Sequence, residues 1–187
     1  MESEIKIGNH YYDINSEHFL LKGEEPLSNF NELSYLNRFP NLKSASFSGT
    51  NLNDEGLLHL SNCSGIENLN LQETEITNAG MHYLKKLKQL KSLRLKDNPQ
   101  LTNACISDLA ELENLLDLQI HETGITEEGL RKLTVLENLE TIIIDIWENN
   151  YTFEGLLKIA SEIPNCNIVA KGDGIFYNGK FKGKWRH

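Results

Sequence analysis

Apolar residues recur along most of this chain in two alternating spacings, and that pattern predicts its fold. The pattern recurs in repeating units. When the first residue of a unit is counted as zero, apolar residues fall at offsets 0, 3 and 5. Offsets 3 and 5 are two residues apart, which predicts a short β-strand with one buried face. Unit by unit, these positions are Leu42, Ala45 and Phe47; Ile66, Leu69 and Leu71; Leu90, Leu93 and Leu95; Leu115, Leu118 and Ile120; and Leu139, Ile142 and Ile144. A second set follows at helical spacing in each unit: Leu57 and Leu60; Met81 and Leu84; Ile106 and Leu109; Leu130 and Leu133; and Leu156 and Ile159. Each unit is therefore predicted to run strand, turn, helix, turn.

The units are copies of one another. Residues 66–89, 90–114 and 115–138 are 24, 25 and 24 residues long, with a further copy on either side at 42–65 and 139–165. Self-similarity at a fixed period of this length predicts supersecondary units stacked into a solenoid. The fifth copy is 27 residues long, with two extra residues before its helix. Such an insertion predicts a loop on one edge of the stack, where binding residues are often found.

The two ends of the chain depart from the repeat and are interpreted as caps of a single domain, 1–187. Residues 1–41 predict either one short strand or two that form a hairpin, and then a helix that Pro40 closes. Residues 166–187 predict a strand followed by a hairpin with its turn at Asn178-Gly179. A solenoid needs such caps because its terminal repeats would otherwise expose the stacked apolar face.

The five units at 42–165 resemble the leucine-rich repeat family, whose pattern is L-x-x-L-x-L-x-x-N/C-x-L. The column that holds Asn or Cys in that family holds Thr50, Thr74, Asn98, Thr123 and Trp147. Segments such as TEITNAG and TGITEEGL resemble a helix-bearing subclass with threonine in this column, common among bacterial repeat proteins and close to the ribonuclease-inhibitor and F-box-associated style. The resemblance implies an α/β leucine-rich-repeat solenoid, with a parallel concave sheet, helices on the convex side and β-containing N- and C-terminal caps.

Composition and charge narrow the setting and the partner. No apolar run approaches the roughly 18 residues of a membrane span, the first residues do not form a signal peptide, and the three cysteines do not form a disulfide framework. We therefore expect a cytoplasmic protein that does not contact a membrane. The net charge of −9 disfavours nucleic acid and favours a basic protein partner.

No catalytic residue, cofactor or metal site is predicted. Cys63, Cys105 and Cys166 fall in packing positions of the repeat, where free cysteine behaves as a small buried hydrophobe. The glycines that recur before each helix are single residues 24 to 26 apart and do not form a clustered phosphate-binding motif, so we interpret them as allowing each helix start to approach its neighbour. The six histidines show no metal-binding spacing.

The resemblance places the side chains between the buried columns on a concave face. They are Ser44, Ser46 and Ser48; Asn68, Asn70 and Gln72; Ser92, Arg94 and Lys96; Asp117, Gln119 and His121; and Thr141, Ile143 and Asp145. This face begins neutral, passes through a basic row and ends acidic and partly apolar. The acids at strand ends are expected to gather on one rim, where they would speed the capture of a basic protein; they are Asp97, Asp117, Glu122, Asp145 and Glu148.

The irregular fifth unit is expected to add apolar contacts. Ile143, Trp147 and Tyr151 are of the residue types found at interface hot spots, and the alternative is that the C-terminal cap covers them. The predicted partner-binding residues are Arg94, Lys96, Asp97, Asp117, Gln119, His121, Glu122, Ile143, Asp145, Trp147, Glu148 and Tyr151.

The resulting prediction is a non-catalytic protein–protein interaction module, monomeric when free, that binds through the concave face and the fifth-repeat loop. The acidic charge suggests an inhibitor or immunity protein of a basic enzyme such as a nuclease toxin. The resemblance implies a precedent, since larger proteins of this kind mask ribonucleases. Two alternatives are an adaptor or assembly scaffold and an unrecognised enzyme.

Overall fold

The computed structural model describes residues 3–22, 25–147 and 150–187. The strands of these segments, labelled β1 to β13, are Glu4–Ile7, His10–Asp13, His18–Leu20, Ser44–Ser46, Asn68–Asn70, Ser92–Arg94, Asn98–Thr102, Asp117–Gln119, Thr123–Gly124, Thr141–Ile144, Asn167–Ala170, Gly174–Tyr177 and Lys180–Gly183. The α-helices, labelled α1 to α4, are Asp54–Leu60, Ile106–Leu109, Glu127–Lys132 and Phe153–Glu162. The 3₁₀-helices are Phe30–Arg38, Gly80–Lys86, Asn103–Cys105 and Leu133–Val135.

One nine-stranded sheet runs the length of the stack, in the order β3, β4, β5, β6, β8, β10, β11, β12, β13. Neighbouring strands from β3 to β11 are parallel, and β12 and β13 return antiparallel. Equivalent residues of successive repeats stand side by side, as Leu69, Leu93 and Leu118 do in β5, β6 and β8. The predicted parallel solenoid sheet is confirmed.

The apolar columns predicted from the repeat form the core. All fifteen strand positions are at most 4% exposed, and the paired helix positions are at most 1% exposed. The residues that alternate with them in the strands are partly or fully exposed, which is the burial pattern of a sheet with one covered face. Strand spacing and helix spacing in the sequence therefore predicted both layers correctly.

Threonine performs the turn-stabilising role that the family pattern gives to asparagine. The hydroxyls of Thr50, Thr74 and Thr123 each donate to the carbonyl oxygen three residues earlier, at 2.7, 3.0 and 2.6 Å. A hydroxyl can bond to nearby backbone in this way but supplies a single donor, whereas the Asn98 amide supplies two.

Both caps contain the predicted strands. The N-terminal segment forms the antiparallel hairpin β1–β2 and then contributes β3 to the large sheet. The C-terminal hairpin β12–β13 turns at Asn178 and Gly179, which both have positive φ, at 49° and 66°. Phe153 packs against Phe176, Phe181 and Trp185, with ring centroids 5.2–5.4 Å apart, so an aromatic cluster closes this end of the core.

The glycine column makes room for a polar side chain from the preceding repeat. A Cβ on Gly80 would lie well inside van der Waals contact with the Asp54 carboxylate, and Gly155 stands in the same relation to Glu127. Asp54 accepts hydrogen bonds from the Thr77 amide and hydroxyl, at 2.8 and 2.6 Å. Glu127 does the same for Thr152, at 2.9 and 2.7 Å. The close approach predicted for these glycines is confirmed, and it serves hydrogen bonds that link consecutive repeats.

We expect Gly80→Ala to destabilise the protein by about 1–2 kcal/mol. Alanine gains about 1 kcal/mol of helix propensity, but its Cβ displaces Asp54 Oδ1 and breaks the bond that it accepts from the Thr77 amide, which contributes about 1.5–3 kcal/mol. The control is the same substitution in an Asp54→Ala background, where the obstruction is gone and Gly80→Ala should stabilise. Urea unfolding of the four proteins measures the sign, and destabilisation in both backgrounds would contradict the explanation.

None of the helices in the described segments is both long and apolar enough to cross a lipid bilayer.

Candidate functional site

An open cavity of about 510 Å³ lies where the central strands end at the edge of the concave face. It is lined by Glu73, Asp97, Pro99, Glu122, Thr123, Asp145 and Trp147. Asp97, Glu122, Asp145 and Trp147 are predicted partner-binding residues, so the structure brings these four together. We call Glu73, Asp97, Glu122 and Asp145 the acidic rim.

Three acids of the rim have a strained, left-handed backbone conformation. Glu73, Asp97 and Glu122 are equivalent in successive repeats, and their φ angles of 53°, 58° and 60° lie in the left-handed region. The first repeat holds Gly49 there, with a φ of 70°. Glycine adopts this conformation freely, whereas an ordinary residue costs about 1–2 kcal/mol. The turn explains the conformation, but it does not explain why three repeats carry a carboxylate instead of glycine.

Two lysines partly neutralise the rim. The Lys96 ammonium lies 2.6 Å from Asp97 Oδ2 and 3.1 Å from Glu122 Oε2, and Lys171 lies 3.3 Å from Glu122 Oε1. The pKa of Lys96 is raised because Asp97 and then Glu122 accept hydrogen bonds from its charged form. Four carboxylates against two ammonium groups leave the rim with two excess negative charges.

Trp147 borders the rim with 43% of its surface exposed. Asn150 holds it in place: the Asn150 side chain accepts from the Trp147 amide at 3.0 Å, and the Asn150 amide donates to the Trp147 carbonyl at 2.9 Å. The Asn150 side chain also donates to the Asp145 carbonyl at 3.1 Å. Asn150 thus fixes the backbone of Trp147, whose indole is exposed. Glu148, predicted to join this site, lies outside the described residues.

Comparison with known proteins settles the architecture. No protein-family model matches the sequence. Internalin C2 from Listeria monocytogenes superposes on 79% of this chain with a TM-score of 0.58 and 25% sequence identity. Internalin InlF from the same organism superposes on 81% with a TM-score of 0.54 and 17% identity. This chain is a leucine-rich-repeat solenoid. It spans 66% of internalin C2 and 46% of InlF.

The leucine-rich-repeat geometry corrects two of the predicted contact residues. Tyr151 is 4% exposed and its hydroxyl donates to the Ile125 carbonyl at 3.0 Å, so the prediction that it forms an exposed anchor is wrong. It fills the core position that Ile125 fills one repeat earlier. Asp117 begins β8 rather than ending it, so it lies at the far end of the strand from the acidic rim. The prediction that Asp117 joins the rim is therefore also wrong.

Ile143 is neither isolated nor covered by the C-terminal cap. Strands β11 and β12 place Val169 and then Ile175 beside it, and all three side chains are partly exposed, Ile175 by 37%. The cap therefore extends an apolar row across this end of the concave face. Arg94 and Gln119 lie in the same row, directly opposite each other in β6 and β8.

His121, predicted to lie on the exposed strand face, is only 5% exposed, so the predicted exposure is wrong. Its pKa is lowered because burial disfavours the charged ring and because Lys171 is near, effects that Glu122 and Asp145 oppose. The imidazole is therefore neutral at pH 7.

The lowered pKa of His121 predicts a pH-dependent stability. The folded state binds a proton less readily than the unfolded chain, whose histidine titrates near pH 6.5, so stability is full above that pH and falls as pH drops through it toward the folded pKa. We expect His121→Gln to remove this part of the decline, as measured by urea unfolding at pH 7.5 and at successively lower pH down to about 5.5. Equal declines in both proteins would contradict the assignment.

Sequence reasoning missed Glu73, Pro99, Thr123 and Lys171. Glu73 was detectable, because it shares one column with Gly49, Asp97 and Glu122 when the repeats are aligned. Lys171 follows β11 in the cap, outside the repeat pattern, and only the strand pairing brings it beside Glu122.

The described residues show little reactive chemistry. Burial raises the pKa of the Cys63 thiol to about 11, and of the Cys105 and Cys166 thiols to about 12, so none is a thiolate at neutral pH. In the described segments, no three of the His, Cys, Asp and Glu side chains are grouped as a metal ion would require. A second open cavity, of about 640 Å³, borders the fifth repeat and the C-terminal aromatic cluster, but Glu154 is its one carboxylate.

Proposed function

We propose that this chain is a non-catalytic protein-binding module that holds a basic protein against its acidic rim. The observation that carries the proposal is the cavity in which four carboxylates surround the exposed indole of Trp147. Tryptophan is enriched among residues that dominate binding energies, and focused charge speeds the encounter of opposite charges. Support also comes from the fold, which presents a curved sheet of the kind that repeat proteins use for binding.

The strained column supports a selected role for the carboxylates. Glycine at residues 73, 97 and 122 would adopt the left-handed turn without strain, as Gly49 does. Residues with strained backbone conformations are common at functional sites. Here the three strained residues, Glu73, Asp97 and Glu122, all place a carboxylate at the same cavity. Glu73 is exposed, and no ion pair in the described part of the chain involves it, so its carboxylate is available to a partner.

The class of partner follows from the negative charge of the acidic rim and of the whole chain. A net charge of −9 repels nucleic acid and anionic lipid, and it attracts proteins that bind nucleic acid through basic surfaces. We therefore propose an inhibitory role, in which this chain covers the nucleic-acid-binding surface of a basic enzyme such as a nuclease toxin.

The test is capture of the partner from the cells that make this protein, followed by association and dissociation rates measured by surface plasmon resonance at several salt concentrations. Glu73→Lys is the rim variant, and Glu137→Lys is its matched control, since it makes the same charge change at an exposed site outside the rim. We expect Glu73→Lys to slow association about tenfold at low salt, with the difference shrinking as salt rises. Glu137→Lys should associate as the wild type does.

Trp147→Ala separates the second part of the site from the first. We expect it to raise the dissociation rate about 30-fold, because hot-spot truncations cost 2 kcal/mol or more and act mainly on dissociation. A captured protein that is acidic, or whose rates neither variant changes, would refute the proposal. Weak binding to several unrelated proteins would indicate an adaptor instead of an inhibitor.

A further inference from the structure

Two buried side-chain nitrogens in the described segments have no hydrogen-bond partner, and both belong to concave-face residues. They are Arg94 Nε and His121 Nδ1. Buried polar groups in native proteins are nearly always bonded, so each exception requires an explanation. Arg94 lies in β6 and His121 in the turn after β8, and the two nitrogens themselves are closed to solvent, but Arg94 is partly exposed, so a ligand can reach its guanidinium.

Strand register places the two residues next to each other. Arg94 in β6 is opposite Gln119 in β8, and His121 lies two residues beyond Gln119, in the turn that follows β8. Diagonal neighbours of this kind are within reach of long side chains across a sheet. On the other side of Arg94 stands Asn70 in β5. The Asn70 and Gln119 amides flank the guanidinium and can add hydrogen-bond donors to it.

No acid in the described segments forms an ion pair with Arg94. Lys96, two residues after Arg94, forms ion pairs with Asp97 and Glu122. In contrast, no ion pair or hydrogen bond within the described segments involves the Arg94 side chain. Asp117 is the acid on the neighbouring strand, diagonal to Arg94, and it is not paired with it. A half-buried guanidinium is a planar fork of donors, and the group that matches it in shape and charge is a carboxylate.

We propose that Arg94 and His121 together bind the carboxylate of an aspartate or glutamate side chain of the partner protein. The proposal rests on the concave face being the protein-binding surface and specifies one group that the partner must present there. The carboxylate accepts from the Arg94 fork, and it stabilises the His121 tautomer that carries its proton on Nδ1. The acidic rim sets the rate of encounter with a basic surface, and the carboxylate fixes the position of that surface on the sheet.

The experiment uses sodium glutarate as the probe, with sodium chloride to hold ionic strength constant. Nitrogen-15 NMR follows the Arg94 Nε–H and the ring nitrogens of His121 during the titration. We expect saturable shifts at Arg94 Nε and His121 Nδ1, and a higher pKa for His121 when glutarate is bound. Arg131 is the internal control, because Glu127 Oε1 already pairs with it at 2.9 Å, and it should not shift.

Two variants make the result specific. Arg94→Lys keeps the charge but removes the fork, and we expect it to weaken glutarate binding at least about tenfold, since a charge-assisted hydrogen bond is lost. Asp117→Asn removes the adjacent acid and should tighten binding. Absent or unsaturable shifts in the wild type, or shifts that Arg94→Lys retains, would overturn the proposal. Shifts that appear only in Asp117→Asn would also overturn it, because Arg94 would then be paired with Asp117.

These outcomes are independent of the rim measurements. A failed glutarate titration leaves the association rates of Glu73→Lys to be judged alone. Conversely, glutarate bound at Arg94 in a protein whose partner ignores the rim would support the carboxylate site and refute the acidic one.

Discussion

Replacing Leu93 with alanine is expected to lower the free energy of unfolding by about 2–5 kcal/mol. Leu93 is fully buried in β6 at the centre of the sheet, with Leu69 and Leu118 beside it in the flanking strands. The substitution leaves a cavity that the neighbouring repeats can only partly fill, because each is held by its own strand and helix. Urea unfolding followed by circular dichroism measures the change.

The matched control for Leu93→Ala is Ser92→Ala, one residue earlier in the same strand. Ser92 points to the concave face and is partly exposed, so its replacement should change stability by no more than about 0.5 kcal/mol. Similar costs for the two substitutions would show that the assignment of buried and concave columns is wrong.

Replacing Asn98 with alanine is expected to cost about 3 kcal/mol. Asn98 is fully buried, and its amide nitrogen donates to the carbonyl oxygens of Leu71, Leu95 and Lys96 at 2.8–3.1 Å. Its Oδ1 accepts from the Thr74 amide of the preceding repeat at 3.1 Å. Leu71 O and Lys96 O keep other donors, so alanine leaves only the Leu95 carbonyl and the Thr74 amide among these groups without a partner, at about 1–3 kcal/mol each.

Asn98→Thr is the informative companion, because three of the other repeats already use threonine in this column. Its hydroxyl can donate to the carbonyl three residues earlier, as those of Thr50, Thr74 and Thr123 do. We therefore expect Asn98→Thr to recover part of the loss, measured by the same unfolding experiment. A threonine variant as unstable as the alanine variant would contradict the role assigned to this column.

The fold was predictable because the same pattern of apolar and polar positions occurs in all five repeats. Any one strand, such as residues 92–94, is too short to be recognised with certainty, but the aligned columns separate buried from exposed positions at every copy. The hairpin at Asn178-Gly179 was predictable for a different reason, since both residues favour the positive φ that a tight turn needs.

The candidate site was predictable only where it follows the repeat. Asp97 and Glu122 share a column, so their meeting at one edge could be anticipated. Tyr151 was misplaced because the fifth repeat was aligned from its strand. Aligned backwards from α4, with the two inserted residues set aside, Tyr151 falls in the buried column of Leu52, Ile76, Leu101 and Ile125.

The states of Arg94 and His121 depend on packing that no periodicity encodes. The spacing predicted an exposed His121, but the residue is buried, and its burial depends on surrounding side chains that include residues of the cap. Likewise, the repeat pattern cannot show that Lys96 forms ion pairs while Arg94 does not. That difference depends on which of the two side chains reaches Asp97 and Glu122 of the rim.

Amide hydrogen exchange of this protein, with and without its captured partner, tests most directly whether the concave face and its acidic rim are the binding surface. We predict slower exchange in the bound state within residues 68–73, 92–97, 117–122 and 141–147, which contain Arg94, His121 and the rim, and unchanged exchange in α1 and α2 on the opposite side. Protection confined to the helices, with the strands and the rim unchanged, would contradict the account.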